Sequence, residues 1–260
     1  MNFSFRHDGP AVFVVGTGPC GTTLLTDLIQ GERISCLKER EVSSRVHALG
    51  RRHIFYLLYT GELTESQFLR HFRRTRRERV RLLPPGHTYC EKIPHGQWAI
   101  ELIRQVFPKA RFIEIFRDGR NTVQSMVGVG WYGTGDELHR WTPRGDLADW
   151  NQLTQFEKCC LRLARTIPFT VQNMATLPTE AHLAFSYEAL MNDPETILRR
   201  IEQFIGLPLK RGRVEIKPSR DGWRSWTPAQ LATFERTLGP TGLALQALLG
   251  YRSATPADLV

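Results

Sequence analysis

The stretch VVGTGPCGTTLL, residues 14–25, decides the fold. Gly16 and Gly21 have the spacing of the phosphate-binding pattern G-x-x-x-x-G-K-[ST], but Thr22 stands where that pattern carries lysine. The apolar run AVFVV (11–15) leads directly into the loop, and TTLLTDLI (22–29) follows it with helical spacing. Glycines let successive backbone N–H groups face an anion, and the start of a helix adds partial positive charge. In loops that hold triphosphates, the lysine reaches the β- and γ-phosphates and the next hydroxyl binds magnesium. With Thr22 in that place the loop is expected to hold a phosphate-type anion without triphosphate hydrolysis.

Outward from the loop, short β-rich runs alternate with longer helical patterns. TYCEK (88–92), RFIEIF (111–116) and HLAFSY (182–187) read as strands, and RISCL (33–37) as a weaker one. WAIELIRQVF (98–107) and PETILRRIEQFIGL (194–207) carry apolar residues every three or four positions. Gly206 with Pro208 just beyond is a helix stop. Buried strands separated by helices predict a doubly wound α/β domain. Its central parallel sheet should have about four to five strands flanked by helices, with ligands bound beyond their carboxyl ends. No repeat or low-complexity linker divides residues 1–260, so one domain is expected, with WYGTGDELHRWTPRGD (131–146) as a Gly-rich surface loop.

Lys plus Arg number 35 against 26 Asp plus Glu, a net charge of +9. That excess suits a polyanionic partner: nucleic acid, a membrane surface or an acidic small ligand. The densest stretch, RHFRRTRRERVR (70–81), reads as a solvated helix face, with attraction of an acidic substrate as the second reading. Nucleic acid is not expected, because no interleaved aromatics or reader motif accompany the charge. The first ten residues, MNFSFRHDGP, contain no apolar segment, and no run reaches the roughly 18 residues of a membrane span. These features predict a soluble, cytoplasmic protein. Five cysteines without zinc spacing, two of them adjacent at Cys159 and Cys160, read as small buried apolar residues. Nothing in the sequence speaks to oligomeric state.

G-x-G-x-x-G-T-T after an N-terminal strand resembles the 5′-phosphosulfate loop of sulfotransferases that use 3′-phosphoadenosine 5′-phosphosulfate (PAPS). RFIEIFRDGRNTVQSM (111–126) is similar to that family's second signature, a strand followed by R-D-G-R and a serine. The resemblance implies the P-loop NTPase-like fold, PAPS as donor, adenosine 3′,5′-bisphosphate as product and no metal. It places Gly18, Cys20, Gly21, Thr22 and Thr23 on the 5′-phosphosulfate, and Arg117 and Ser125 on the 3′-phosphate. FSYEALMNDPETILRRIEQFIGLP (185–208) resembles the Y-E-x-L segment, which sets Tyr187 near the adenine. PSRDGWRSW (218–226) resembles the late basic loop and nominates Arg220, Gly222 and Trp223. CEKIPH (90–95) resembles an E-K-T-P element in which lysine faces the sulfonate, here Lys92. Together these matches run from about residue 11 to 251.

For the general base the resemblance implies a glutamate about 16 residues after the second loop threonine, which is Glu39, with Glu41 and His95 as alternatives. A carboxylate base works best when partial burial raises its pKa. The family usually carries Arg or Lys where this loop has Pro19. Loss of such a contact costs about 1.5–3 kcal/mol unless another cation, from Arg40, Arg45 or the 70–81 cluster, replaces it. The implied reaction is transfer of a sulfuryl group to a hydroxyl, or less favourably an amine, of a small molecule, sugar or peptide. The rival readings are a metabolite kinase of the P-loop type and a non-catalytic nucleotide- or nucleic-acid-binding protein of the same fold. The acceptor side is expected in helical insertions over 42–87 and a loop over 127–150. There Phe55, Tyr56, Tyr59, Trp131, Tyr132 and Trp141 could either flank an acceptor ring or pack the core.

Overall fold

The computed structural model describes residues 6–37, 48–49, 52–93, 95–133, 150–210 and 221–248. In chain order, strand β1 (Ala11–Val15) feeds the glycine loop and helix α1 (Thr22–Leu28). Strands β2 (Gln30–Gly31) and β3 (Ile34–Leu37) follow, then a small hairpin of β4 (Ala48–Leu49) and β5 (Arg52–His53). Helices α2 (Ile54–Tyr59) and α3 (Glu65–Arg81) lead to β6 (Thr88–Lys92), α4 (Ile100–Val106), β7 (Ala110–Phe116) and α5 (Gly119–Gly128). Then come α6 (Gln155–Met174), β8 (His182–Ser186), α7 (Tyr187–Asn192) and α8 (Pro194–Ile205). The last element is α9 (Pro228–Leu248), broken at Gly239–Pro240.

One sheet has the order β2-β3-β6-β1-β7-β8, and every neighbouring pair except β2–β3 is parallel. The five expected strands are therefore present, and the two-residue antiparallel β2 is an addition too short to carry a periodic signal. β1 lies in the middle. Its chain leaves through α1 toward β3, while β6 connects through α4 to β7 on the other side. Such a divergence opens a crevice at the carboxyl end of the central strand, where the glycine loop sits.

All five residues of β1 are buried, as a parallel strand covered on both faces requires. The pleat sends Phe13 and Val15 into a core with α2, α3 and α4, and Val12 and Val14 into a second core with α1 and α8. Burying each of these side chains contributes about 1.5–3 kcal/mol, so β1 joins both cores and fixes the loop that follows it. A third cluster joins α5 and α6 to Trp223, Trp226 and α9.

Local signals explain where the boundaries differ from expectation. Tyr187 opens α7 instead of ending β8, because the Ser186 hydroxyl accepts from Ala189 N at 3.0 Å and caps the helix. Residues 96–98 form a 3-10 turn ahead of α4. α8 is capped by Asp193, has Pro194 in its first turn and stops at Gly206 with φ 73°. The five cysteines are buried, and burial pushes the Cys20 thiol up to about 12.

The basic stretch at 70–81 departs from a solvated face. α3 starts with a capping box of Thr64 and Gln67 and sends Phe68 and Phe72 into the core. Arg76 goes with them and is 0% exposed. Arg70, Arg74, Arg77 and Arg81 are exposed, so the expectation holds for that stripe and fails for Arg76. Among the described residues, no helix is long and apolar enough to cross a membrane.

Candidate active site

The loop takes its shape from two glycines. Gly18 (φ 76°) and Gly21 (φ 101°) are left-handed, which L side chains rarely adopt. Neither has room for a Cβ: at Gly18 it would overlap Met126 on α5, and at Gly21 the Tyr187 ring. Gly21 is also the N-cap of α1, so the helix start points at the loop. The loop is thus wedged between α5 and Tyr187. The Cys20 side chain turns into the core, so only its backbone can face an anion. Thr22 is buried in the first turn of α1, and Thr23 is exposed.

Lys92 ends β6 next to this loop. It is 8% exposed, and its Nζ donates to Thr23 Oγ1 at 3.0 Å, which brings the nominated lysine to the second loop threonine. The preceding residue, Glu91, points to the other face of the sheet and meets Arg76. Arg76 Nη2 and Nε donate to its two carboxylate oxygens at 2.8 and 3.2 Å, with both side chains 0% exposed. Tyr89 Oη donates to the same carboxylate at 2.6 Å, and burial pushes the Tyr89 hydroxyl well above its ordinary value. Of the 70–81 cluster, Arg76 is therefore neutralised inside the fold and does not replace the cation missing at Pro19.

On the other side of β1 the second motif closes on the loop. Arg117 leaves the carboxyl end of β7 with its guanidinium 4.6 Å from the Tyr187 ring centre. Asp118 N donates to Glu188 Oε1 at 3.4 Å, so the R-D-G-R and Y-E-x-L segments interlock. Asp118 caps α5 through Arg120 N at 2.8 Å and also pairs with the Arg120 guanidinium. Arg120 lies 4.2 Å over the Trp223 ring, and Arg224 covers the same indole at 5.1 Å. Ser125 is half-buried on α5, about two turns after Arg117.

The turn around Gly222 is drawn against α5 by two hydrogen bonds. Asn121 Nδ2 donates to Asp221 Oδ1 at 3.1 Å, and Trp226 Nε1 donates to Gln124 Oε1 at 2.6 Å. Gly222 packs on Gln124. Trp223 is only 3% exposed, so in this structure its indole braces α5. Sequence reasoning missed this brace, and it missed Gln97, which is fully buried and donates to the Gly16 carbonyl at 3.4 Å. The spacing Asp118–Arg120 before a helix was the available signal for the first. Nothing local marked the second.

Among the candidate bases, His95 is half-buried and stacks on Trp98 at 4.7 Å. Glu39 and Glu41 lie outside the described residues, as do Arg40, Arg45, Trp141, Arg220 and most of the expected 131–146 loop. β3 ends at Leu37, which pairs with Glu91, so the described chain stops level with the end of β6. Of the acceptor-side aromatics, Phe55 is core, Tyr59 lies tilted against Trp98 with ring centres 5.1 Å apart, and Tyr132 Oη accepts from Arg162 at 3.3 Å. Among the described residues, no cluster of three or more His, Cys, Asp or Glu could hold a metal ion.

A model of the sulfotransferase family matches residues 10–211. Protein-tyrosine sulfotransferase A of Caenorhabditis elegans is 23% identical over 217 residues, covering 78% of this chain and 52% of that protein. Protein-tyrosine sulfotransferase 1 of Danio rerio is 24% identical over 218 residues, covering 79% and 56%. The chain thus spans about half the length of the curated relatives it matches. The sulfotransferase domain of the Synechococcus olefin synthase superposes with a TM-score of 0.60 at 15% identity, covering 95% of this chain and 96% of that one. A mouse sulfotransferase complexed with PAP gives 0.52 at 14%, covering 94% and 90%. These likenesses show a shared fold. The likeness to protein-tyrosine sulfotransferases overturns the expected cytoplasmic address, which rested only on the first ten residues and the lack of an apolar run.

Proposed function

Because this chain belongs to the sulfotransferase family, we propose that it transfers a sulfuryl group from PAPS to a hydroxyl of an acceptor molecule. The observation that carries this reading is the hydrogen bond from Lys92 to Thr23, which unites a cation with a phosphate loop that has no lysine of its own. A loop whose two left-handed glycines leave no room for side chains suits close backbone contact with a 5′-phosphosulfate. Family membership leaves the kinase reading without support.

PAPS, when bound, supplies the sulfuryl group. Gly18 through Thr23 would hold its 5′ end, Arg117 and Ser125 its 3′-phosphate, and Tyr187 its base. Sulfuryl transfer resembles phosphoryl transfer: in-line displacement through a loose transition state, with charge gathering on the leaving oxygen. Lys92 stabilises that charge, and a preset cation in a shielded site is worth more there than in water. Glu39 removes the acceptor proton. The relatives' names make a tyrosyl hydroxyl in a peptide the first acceptor to try, ahead of free phenols and sugars.

Release of the bisphosphate from PAPS, measured with a panel of tyrosine peptides, phenols and sugars, tests the proposal. Transfer to at least one acceptor is expected, and Glu39→Gln should bind the bisphosphate normally while turnover falls about 100-fold or more. Unchanged turnover in that variant would move the base to Glu41 or His95. Binding of the donor with no transfer to any acceptor would overturn the reaction.

A further inference from the structure

On the sheet face opposite α1, a cavity of about 290 Å³ lies between α6 and the β7–β8 edge. Ile113 and Ile115 pack with α1, so Glu114 and Phe116, which alternate with them, point to the other face and line the cavity. Leu163, Ile167, Val171 and Met174 form its opposite wall, an apolar stripe along α6. At the strands, Glu114 Oε2 and His182 Nε2 are 3.1 Å apart, with side chains only 12% and 22% exposed. Thr17 and Arg117 stand where the cavity meets the donor loop, and Thr17 is bonded to Thr170 of α6 at 3.3 Å.

The cavity is at the small end of ligand pockets, with apolar walls and a few convergent polar groups. A carboxylate in such surroundings is costly unless an opposite charge accompanies it. The His182 ring meets one of the two Glu114 oxygens, Oε2, at 3.1 Å. We propose that this cavity is a second ligand site, adjoining the donor site at Thr17 and Arg117, for a small organic amine with an aromatic or branched alkyl body. The ammonium pairs with Glu114, and the body fills the space against α6. This inference does not depend on the transfer reaction.

Ligand-observed NMR in mildly alkaline buffer tests it with 2-phenylethylamine, 2-phenylethanol and 3-phenylpropanoate as probes. The amine should bind at least about tenfold more tightly than either of the others. Glu114→Gln should erase that preference while keeping the alcohol. Ala184→Leu and, from the helix side, Ile167→Phe should each exclude all three probes, with bisphosphate affinity reporting that the fold is intact. Equal affinities for the three probes, no binding of the amine, its persistence in Ile167→Phe, or its displacement by the bisphosphate would each overturn the site.

Discussion

Glu91 and Lys92 are adjacent on β6, and the pleat sends them to opposite faces of the sheet. Glu91 enters the core and is met by Arg76 and Tyr89, so its charge is cancelled within the fold. Lys92 reaches the loop and donates to Thr23. The two arginines of R-D-G-R divide in a similar way. Arg120 is consumed by Asp118 and covered by Trp223, whereas Arg117 leans on the Tyr187 ring at the mouth of the loop. Proximity in sequence therefore does not tell cations drawn into the fold from those held at the loop; the partner that each one meets does.

Removing a structural partner should have the largest effect. Arg76→Ala takes the guanidinium away from a buried carboxylate, which costs about 3–5 kcal/mol. At this chain length the melting temperature should fall by roughly 10 °C. The double variant Arg76→Met/Glu91→Leu should recover most of that loss. A single variant as stable as the parent would break the comparison.

Lys92→Met should do the reverse. Turnover falls by about 10²–10³-fold, with little change in melting temperature and less than about tenfold change in bisphosphate affinity. If the chief loss were stability, Lys92 would belong with Arg76. Arg117→Met should weaken bisphosphate binding by roughly 10- to 100-fold in a calorimetric titration, the worth of a charge-assisted contact of about 1.5–3 kcal/mol. The smallest effect belongs to a charge whose partners are a backbone amide and a hydroxyl. Thr154 N and its side chain hold the Glu157 carboxyl below its ordinary range at the start of α6. A lowered carboxyl pKa stabilises above its unfolded value and loses that contribution as pH falls through the folded one. Thr154→Ala should therefore cost about 1 kcal/mol near neutrality, with the gap to the parent narrowing below about pH 4.

The sheet and the setting of the glycine loop were legible because their signals are local. AVFVV running into G-x-G-x-x-G-T-T, and RFIEIF running into R-D-G-R, each place a motif at a strand's carboxyl end within a few residues. The Arg76–Glu91 pair was not legible. It joins residues fifteen apart on different elements, and a run of arginines looks like surface until one meets its carboxylate. The burial of Trp223 was hidden for the same reason, since Arg120 reaches it across about a hundred residues of chain. β2 is too short for any pattern, and the cavity beneath α6 is a gap between elements that no residue marks by itself.

Pro19 puts no cation in the loop, and Lys92 is a charge that the described structure brings to the loop threonines. Calorimetric titration with adenosine 3′,5′-bisphosphate and, separately, with ATP and magnesium tests the proposed donor most directly. The account predicts that the bisphosphate binds at least about tenfold more tightly than magnesium ATP. Tighter binding of magnesium ATP, or no binding of the bisphosphate, would contradict it.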